Sequence, residues 1–222
     1  MEEDDIYELE NEADEYFYNV YTLGNWGVLG NLIFDNFTVR DILGDPIFKT
    51  FDKFRNGLDF GFTNDPTAFS RSYYHKATRT IYIFKEWAST QVTNDMIADV
   101  LKPIIKKEKI VCDSAEPKSI QELKNYGVNA VGAVKGKDSI RHGINWLKQQ
   151  KIVIDPTCQG VINEFEQYHW KKDRNGESTN EPADTDNHFL DGIRYKYEDL
   201  MSHLFVGDSS GMFNGAKSAY AE

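Results

Sequence analysis

Apolar residues recur along this chain with two different periods, and the change from one to the other organises it. From Gly57 the period is two. Leu58, Phe60 and Phe62 alternate and predict a strand with Asp59 inside it. Residues 67–75 and 78–88 are β-branched and aromatic, and the tight Lys76-Ala77 link between them predicts a hairpin. From Thr93 the period becomes helical. Met96, Ile97, Val100, Leu101, Ile104 and Ile105 mark a helix over 93–106, which Thr93 or Asn94 can cap and Pro103 should kink or break. Lys109-Ile110-Val111-Cys112-Asp113 then reads as a short buried strand that ends at an acid. Beyond it the pattern predicts a helix over 118–126 stopped by Gly127, and a strand over 128–134. A helix from Asp138 or Ser139 to Gln150, a strand over 152–154 and a helix over 161–168 follow. A turn at 173–176 precedes a last helix over 187–205. Ahead of Gly57 the signal is weaker. Ile6, Leu9, Ala13, Phe17 and Val20 fit a helix over 4–21 whose apolar stripe needs a cover. Residues 23–27 read as a connector and 31–37 as a short strand. Residues 38–55 read as a connecting segment with a turn near Asp45-Pro46, and residues from 207 onward as a flexible tail. This order predicts an α/β domain with a mixed sheet, an antiparallel meander first and parallel strands afterwards, flanked by helices.

Composition narrows the class. The 222 residues suit one large domain or one domain with appendages, and 40% hydrophobic content with 14% aromatics is ample for a core. No apolar run is long enough to span a bilayer, and the start does not resemble a signal peptide, so a soluble intracellular chain with no membrane partner is expected. Cys112 and Cys158 show no metal-ligand spacing and are expected to be buried free thiols. The net charge of -11 is concentrated at one end. Residues 1–15 hold nine acids and no Lys or Arg, leaving 25 basic against 27 acidic residues in the rest. With local basic stretches at 102–109 and 135–151, the charge neither excludes a nucleic-acid substrate nor argues for one.

Four residues carry candidate chemistry. Asp59 lies among apolar neighbours in a strand, where an acid needs a metal, a partner or an edge position facing water. Asp113 ends an apolar strand, the place where open α/β sheets present functional groups; capping the next turn is its alternative role. His188 and Asp191 share one face of the last helix as neighbours at i and i+3. Alone, Asp191 could pair with Arg194 or Tyr195, and His188 could be an ordinary polar-face residue. Together the four suggest two hard divalent cations, Mg²⁺ or Mn²⁺, held by carboxylates for phosphodiester cleavage. No Cys/His set supports structural zinc.

The same residues carry a family resemblance. Gly57-Leu58-Asp59-Phe60-Gly61-Phe62-Thr63-Asn64-Asp65-Pro66-Thr67-Ala68 resembles the first nuclease motif of tailed-phage terminase large subunits, and Ile110-Val111-Cys112-Asp113-Ser114-Ala115-Glu116-Pro117-Lys118 resembles the second. Lys135-Gly136-Lys137-Asp138-Ser139-Ile140 through Gly143-Ile144 is similar to the loop and helix between motifs. Asp186-Asn187-His188 to Asp191, with Arg194-Tyr195, looks like the third. Residues 21–27 resemble the segment joining motor and nuclease domains.

The resemblance implies a ribonuclease H-like fold, with residues 1–37 an acidic segment and connector from an absent ATPase domain, 38–206 the nuclease domain and 207–222 a tail. It also implies cleavage of concatemeric double-stranded DNA with little sequence specificity. Asp59, Asp113 and Asp191 would be the metal carboxylates, and His188 a ligand or a water-orienting group. Asp65, Glu116 and Asp186 would be outer-shell acids, and Lys135 and Lys137 phosphate contacts. Implied partners are the ATPase domain, the small terminase subunit and the portal of the procapsid, in the host cytoplasm and not in the mature virion. Other readings of the residues remain: a resolvase or ribonuclease H relative, or a non-catalytic docking module.

Three apparent motifs carry nothing. Residues 132–138 resemble a P-loop but have one residue too few, with Asp138 where the magnesium-binding hydroxyl belongs, so no ATPase activity is expected. Residues 173–181 lack a calcium-loop register and suit a hairpin tip. Ser70, Ser72 and His75 form no nucleophile elbow.

Overall fold

The computed structural model describes residues 31–136, 138–173, 175–183 and 187–201. The expected helix over 4–21, the connector and the tail lie outside them, as do Lys137 and Asp186. Seven strands form one mixed sheet: β1 (Phe37–Val39), β2 (Phe54–Asp59), β3 (Thr67–His75), β4 (Thr80–Ser89), β5 (Ile110–Cys112), β6 (Ala130–Gly132) and β7 (Lys151–Ile154). Their spatial order is β1-β7-β4-β3-β2-β5-β6. The meander β2-β3-β4 is antiparallel, while β5 and β6 add parallel beside β2, as the change of period predicts. β7 crosses to the far edge and pairs parallel with β4, and β1 pairs parallel with β7. A separate two-stranded hairpin is formed by β8 (Trp170–Lys172) and β9 (Ser178–Pro182), with Gly176 N–H donating to Asp173 O near its tip.

Among the described residues five helices cover the sheet: α1 (Asn94–Ile105), α2 (Pro117–Asn125), α3 (Ser139–Lys148), α4 (Gln159–Gln167) and α5 (His188–Met201). The strand pleat decides which face each meets, because successive side chains point to opposite sides. Leu58, Phe69, Ile110 and Cys112 pack with Ile97, Leu101, Ile120 and Leu123 of α1 and α2. Ala68, Ile81, Ile83, Ile152 and Ile154 face the other way, onto α3, α4 and α5. Cys112 and Cys158 are both free and buried.

Several boundaries differ from the sequence pattern. β2 runs over Phe54–Asp59, so Asp59 ends the strand instead of sitting inside it, and Phe62 is exposed in the following loop. The segment expected to be connecting contains most of β1 and a 3-10 helix over Pro46–Thr50, which Asp45 caps through Ile47 N–H. The strand expected over 31–37 is reduced to an isolated bridge between Leu32 and His169, with β1 beginning only at Phe37. Pro103 does not break α1. It falls within the last turn, and the helix continues past it to Ile105, with Lys106 as C-cap.

Candidate active site

Gly57 and Asp59 lie two apart on β2 and face the same side, towards α5. A Cβ on Gly57 would come within 2.0 Å of the Gly192 carbonyl oxygen, so the missing side chain lets the α5 backbone rest directly on the strand. This close approach brings the first turn of α5, with His188 and Asp191, against the end of β2. Parallel pairing of β5 with β2 then sets Asp113 beside them: its N–H donates to Leu58 O, one residue before Asp59. Thus three carboxylates reach one end of the sheet from a strand, a strand end and a helix.

Each acid is already engaged. Asp59 is 8% exposed, and its Oδ2 lies 3.1 Å from His188 Nδ1. Burial raises the Asp59 carboxyl above its ordinary range, the His188 bond opposes this, and the charges of Asp191 and Asp113 add to the rise. His188 is pushed up chiefly by its bond to Asp59. Its Nε2 faces Asp65 Oδ1 at 3.9 Å.

Asp113 behaves differently. Burial pushes its carboxyl up, but the Ala115 N–H at 2.7 Å and Lys135 Nζ at 2.5 Å outweigh it and leave the acid below its usual range. Asp191 is held by Arg194, which is itself buried. The Tyr195 hydroxyl stands 3.4 Å from both Asp113 and Asp191. Burial raises this phenol, followed by the surrounding carboxylate charges, so it remains a donor.

Asp59, Asp113, Asp191 and His188 are therefore neighbours, and Asp65 lies at the rim. Glu116 is not drawn in: it stands at the N-cap of α2 and accepts from Ser119. Among the described residues no three His, Cys, Asp or Glu groups are drawn together as a ready-made metal cluster. Lys135, Arg194 and Tyr195 occupy the oxygens that would turn inward. The donor set still suits a hard divalent cation, because three carboxylates converge on one end of the sheet, and burial with the neighbouring charges makes the negative charge of Asp59 unfavourable there.

Two contributors escaped the sequence pattern. Tyr195 was visible there only as a partner for Asp191, not as a bridge to Asp113. Glu164 on α4 was not singled out. Its two oxygens accept from Phe189 N–H at 2.9 Å and Leu190 N–H at 2.8 Å, tying down the first turn of α5. Glu86 does the same for α4, through Gly160 and Val161 N–H at 2.9 and 2.8 Å. The available signal was a glutamate three residues after Val161, on the apolar face of its helix.

Burial raises Glu164 to about 8, against the pull of its two N–H bonds. An acid whose folded pKa exceeds its unfolded value stabilises the fold below the unfolded value, and loses that contribution as pH rises towards the folded one. Glu164→Gln stays neutral throughout. Its Tm should therefore gain on the wild type by several degrees between about pH 5 and pH 8, then level off. A Tm difference that is flat across this range in thermal melts would contradict the assignment.

Residues 59–199 match the family described as the terminase RNase H-like domain. The chain belongs to that family. It is 39% identical over 175 residues to the terminase large subunit of Bacillus phage SPP1, covering 76% of this chain and 42% of the relative. It is 31% identical over 199 residues to the PBSX phage terminase large subunit of Bacillus subtilis (strain 168), covering 85% of this chain and 45% of the relative. It thus spans less than half the length of either. Among solved structures, the nuclease domain of the SPP1 large terminase, crystallised with bound Mn, superimposes with a TM-score of 0.70 at 36% identity. That match covers 75% of this chain and 98% of the other. This terminase-family domain accordingly has the ribonuclease H-like nuclease fold.

Proposed function

We propose that this chain is the metal-dependent endonuclease part of a phage DNA-packaging terminase, hydrolysing phosphodiester bonds of concatemeric double-stranded DNA. The observation that carries the reading is the convergence of Asp59, Asp113 and Asp191, whose charges bear on one another at the end of the sheet. The manganese of the similar SPP1 domain supports the choice of cation. Two Mg²⁺ or Mn²⁺ ions would supply activation of the attacking water and neutralise charge on the departing 3′ oxygen.

The chain's own residues prepare this. Asp59, Asp113 and Asp191 are the carboxylates that would hold the ions. His188 grips Asp59 through Nδ1 and leaves Nε2 for an ion or a water. Arg194 and Tyr195 keep Asp191 in place, and Tyr195 links it to Asp113. With no base-reading motif in the sequence, binding would rest on phosphates, with little sequence specificity and strong dependence on salt. In the whole protein this part would work with an ATPase domain, a small terminase subunit and the portal of a procapsid in the host cytoplasm.

Substrate comparison tests the reading. Supercoiled plasmid should be nicked and linearised with Mn²⁺ at scattered positions, less so as salt rises, and Asp113→Asn should abolish cleavage. Preference for an RNA–DNA hybrid or a four-way junction would instead favour a ribonuclease H or resolvase role. Absence of both cleavage and millimolar Mn²⁺ binding would favour a docking module.

A further inference from the structure

The acid cluster contains two cations of opposite character. Arg194 is fixed: it is buried, its shaft lies against Gly143 of α3, and its guanidinium holds Asp191. Lys135 is not. Its ammonium sits 2.5 Å from Asp113 Oδ1 and 5.1 Å from the centre of the Tyr195 ring. It comes from the exposed loop after β6, where Val134 is 82% exposed and nothing lies within 4 Å of a Cβ placed on Gly136. The lysine is thus held at its charged end while its side chain stays partly exposed, and its loop is tied to α5 just before it, where Val134 N–H donates to Glu198.

We propose that Lys135 is an exchangeable occupant of the metal site, neutralising Asp113 in the free protein and moving to a DNA phosphate when a divalent cation takes that carboxylate. The inference rests on the reading that Asp113 is a metal ligand. Its logic is one of competition. Asp113 Oδ1 already accepts from Ala115 N–H and from Lys135, so an incoming cation meets an oxygen with an ammonium on it and is repelled by the like charge. A bound duplex offers the ammonium a phosphate instead, at a distance that relieves this repulsion. DNA and metal then assist each other through one side chain, and by linkage the assistance is mutual. The arrangement disfavours metal loading when no DNA is present.

Calorimetric titration of the full chain with Mn²⁺ alone, without DNA, reads the exchange directly. Lys135→Met should bind Mn²⁺ about fivefold more tightly than wild type, in keeping with a partly exposed ion pair. Lys135→Arg retains the charge and should bind as wild type does. In fluorescence anisotropy with duplex DNA and saturating Ca²⁺ in place of Mn²⁺, Lys135→Met should bind more weakly, with a salt slope smaller by about one. Unchanged or weaker Mn²⁺ binding by Lys135→Met overturns the exchange, as does unchanged DNA affinity. Asp113→Asn separates the two ideas. If it binds Mn²⁺ as wild type does, the ligand reading fails as well; if it loses Mn²⁺ while Lys135→Met gains none, the exchange alone fails.

Discussion

Asp59→Asn is expected to lower Mn²⁺-dependent plasmid nicking about a thousandfold, while the protein melts at the same temperature or higher. The two halves have one cause. Asp59 is buried at the end of β2, and burial together with the charges of Asp191 and Asp113 makes its ionised form unfavourable. A carboxylate kept in that position destabilises the fold unless a cation joins it. Asparagine has the same shape and can still meet His188 Nδ1, so the packing around β2 and α5 persists while the unfavourable charge disappears. On the proposed reading, what is lost is a metal ligand, and metal-assisted stabilisation of transition-state charge contributes several kcal/mol, in line with a thousandfold effect. Raised stability with lost activity is the pattern of a group retained for function. Nicking kinetics and thermal melts on the same preparations decide the matter: activity within tenfold of wild type would remove Asp59 from the reaction, and a Tm drop of many degrees would make it a structural acid.

How far this site could be seen in the sequence depends on what each residue interacts with. Asp113 and Asp155 show the difficulty. Both end apolar strands, Ile110-Val111-Cys112 and Ile152-Val153-Ile154, and nothing local separates them. Asp155 proves to be structural, accepting from Ile42 N–H at 2.8 Å and from Thr157 N–H and hydroxyl. Asp113 also caps its turn through Ala115, but stands beside β2 as well, because β5 adds on the β2 side of the sheet and β7 on the β4 side. Strand order is a property of the whole fold; the element order led to the expectation that the Asp113 strand lies beside the Asp59 strand, but nothing next to either acid in the sequence encodes it. The meander and the helices with clear apolar periods were legible because their signals are local. The 3-10 segment over Pro46–Thr50 and the early start of β2 were not, since Phe54 and Arg55 join the sheet by pairing with β3 across a long loop. Glu164 was hidden for a related reason, as was the pairing of Lys135, expected only as a phosphate contact, with Asp113: their partners lie far along the chain or belong to a neighbouring element.

Gly57→Ala should damage the protein more than its single added methyl suggests, and Gly192→Ala should not, although the two glycines face each other. The asymmetry comes from direction. A Cβ on Gly57 points into the α5 backbone, 2.0 Å from the Gly192 carbonyl oxygen and 2.7 Å from its carbon, and neither can turn aside as a flexible side chain would. The strand and the helix must separate, and overpacking of this kind costs about 1–3 kcal/mol or more. For a domain of this size that corresponds to a Tm loss of roughly 2–12 °C. A Cβ on Gly192 meets its nearest atoms at 3.5 Å, ordinary contact, and sits inside a helix where alanine is favoured over glycine by about 1 kcal/mol. Gly192→Ala should therefore melt at or slightly above the wild-type temperature. The same displacement reaches the chemistry. β2 carries Asp59 and α5 carries Asp191, so lifting the helix by even half an ångström separates the carboxylates proposed to hold the cations, and activity should fall further than stability alone explains. Nicking assayed well below the melting temperature of each variant isolates this effect. If Gly57→Ala melts within a degree of wild type and nicks normally, the contact between strand and helix does not set the site.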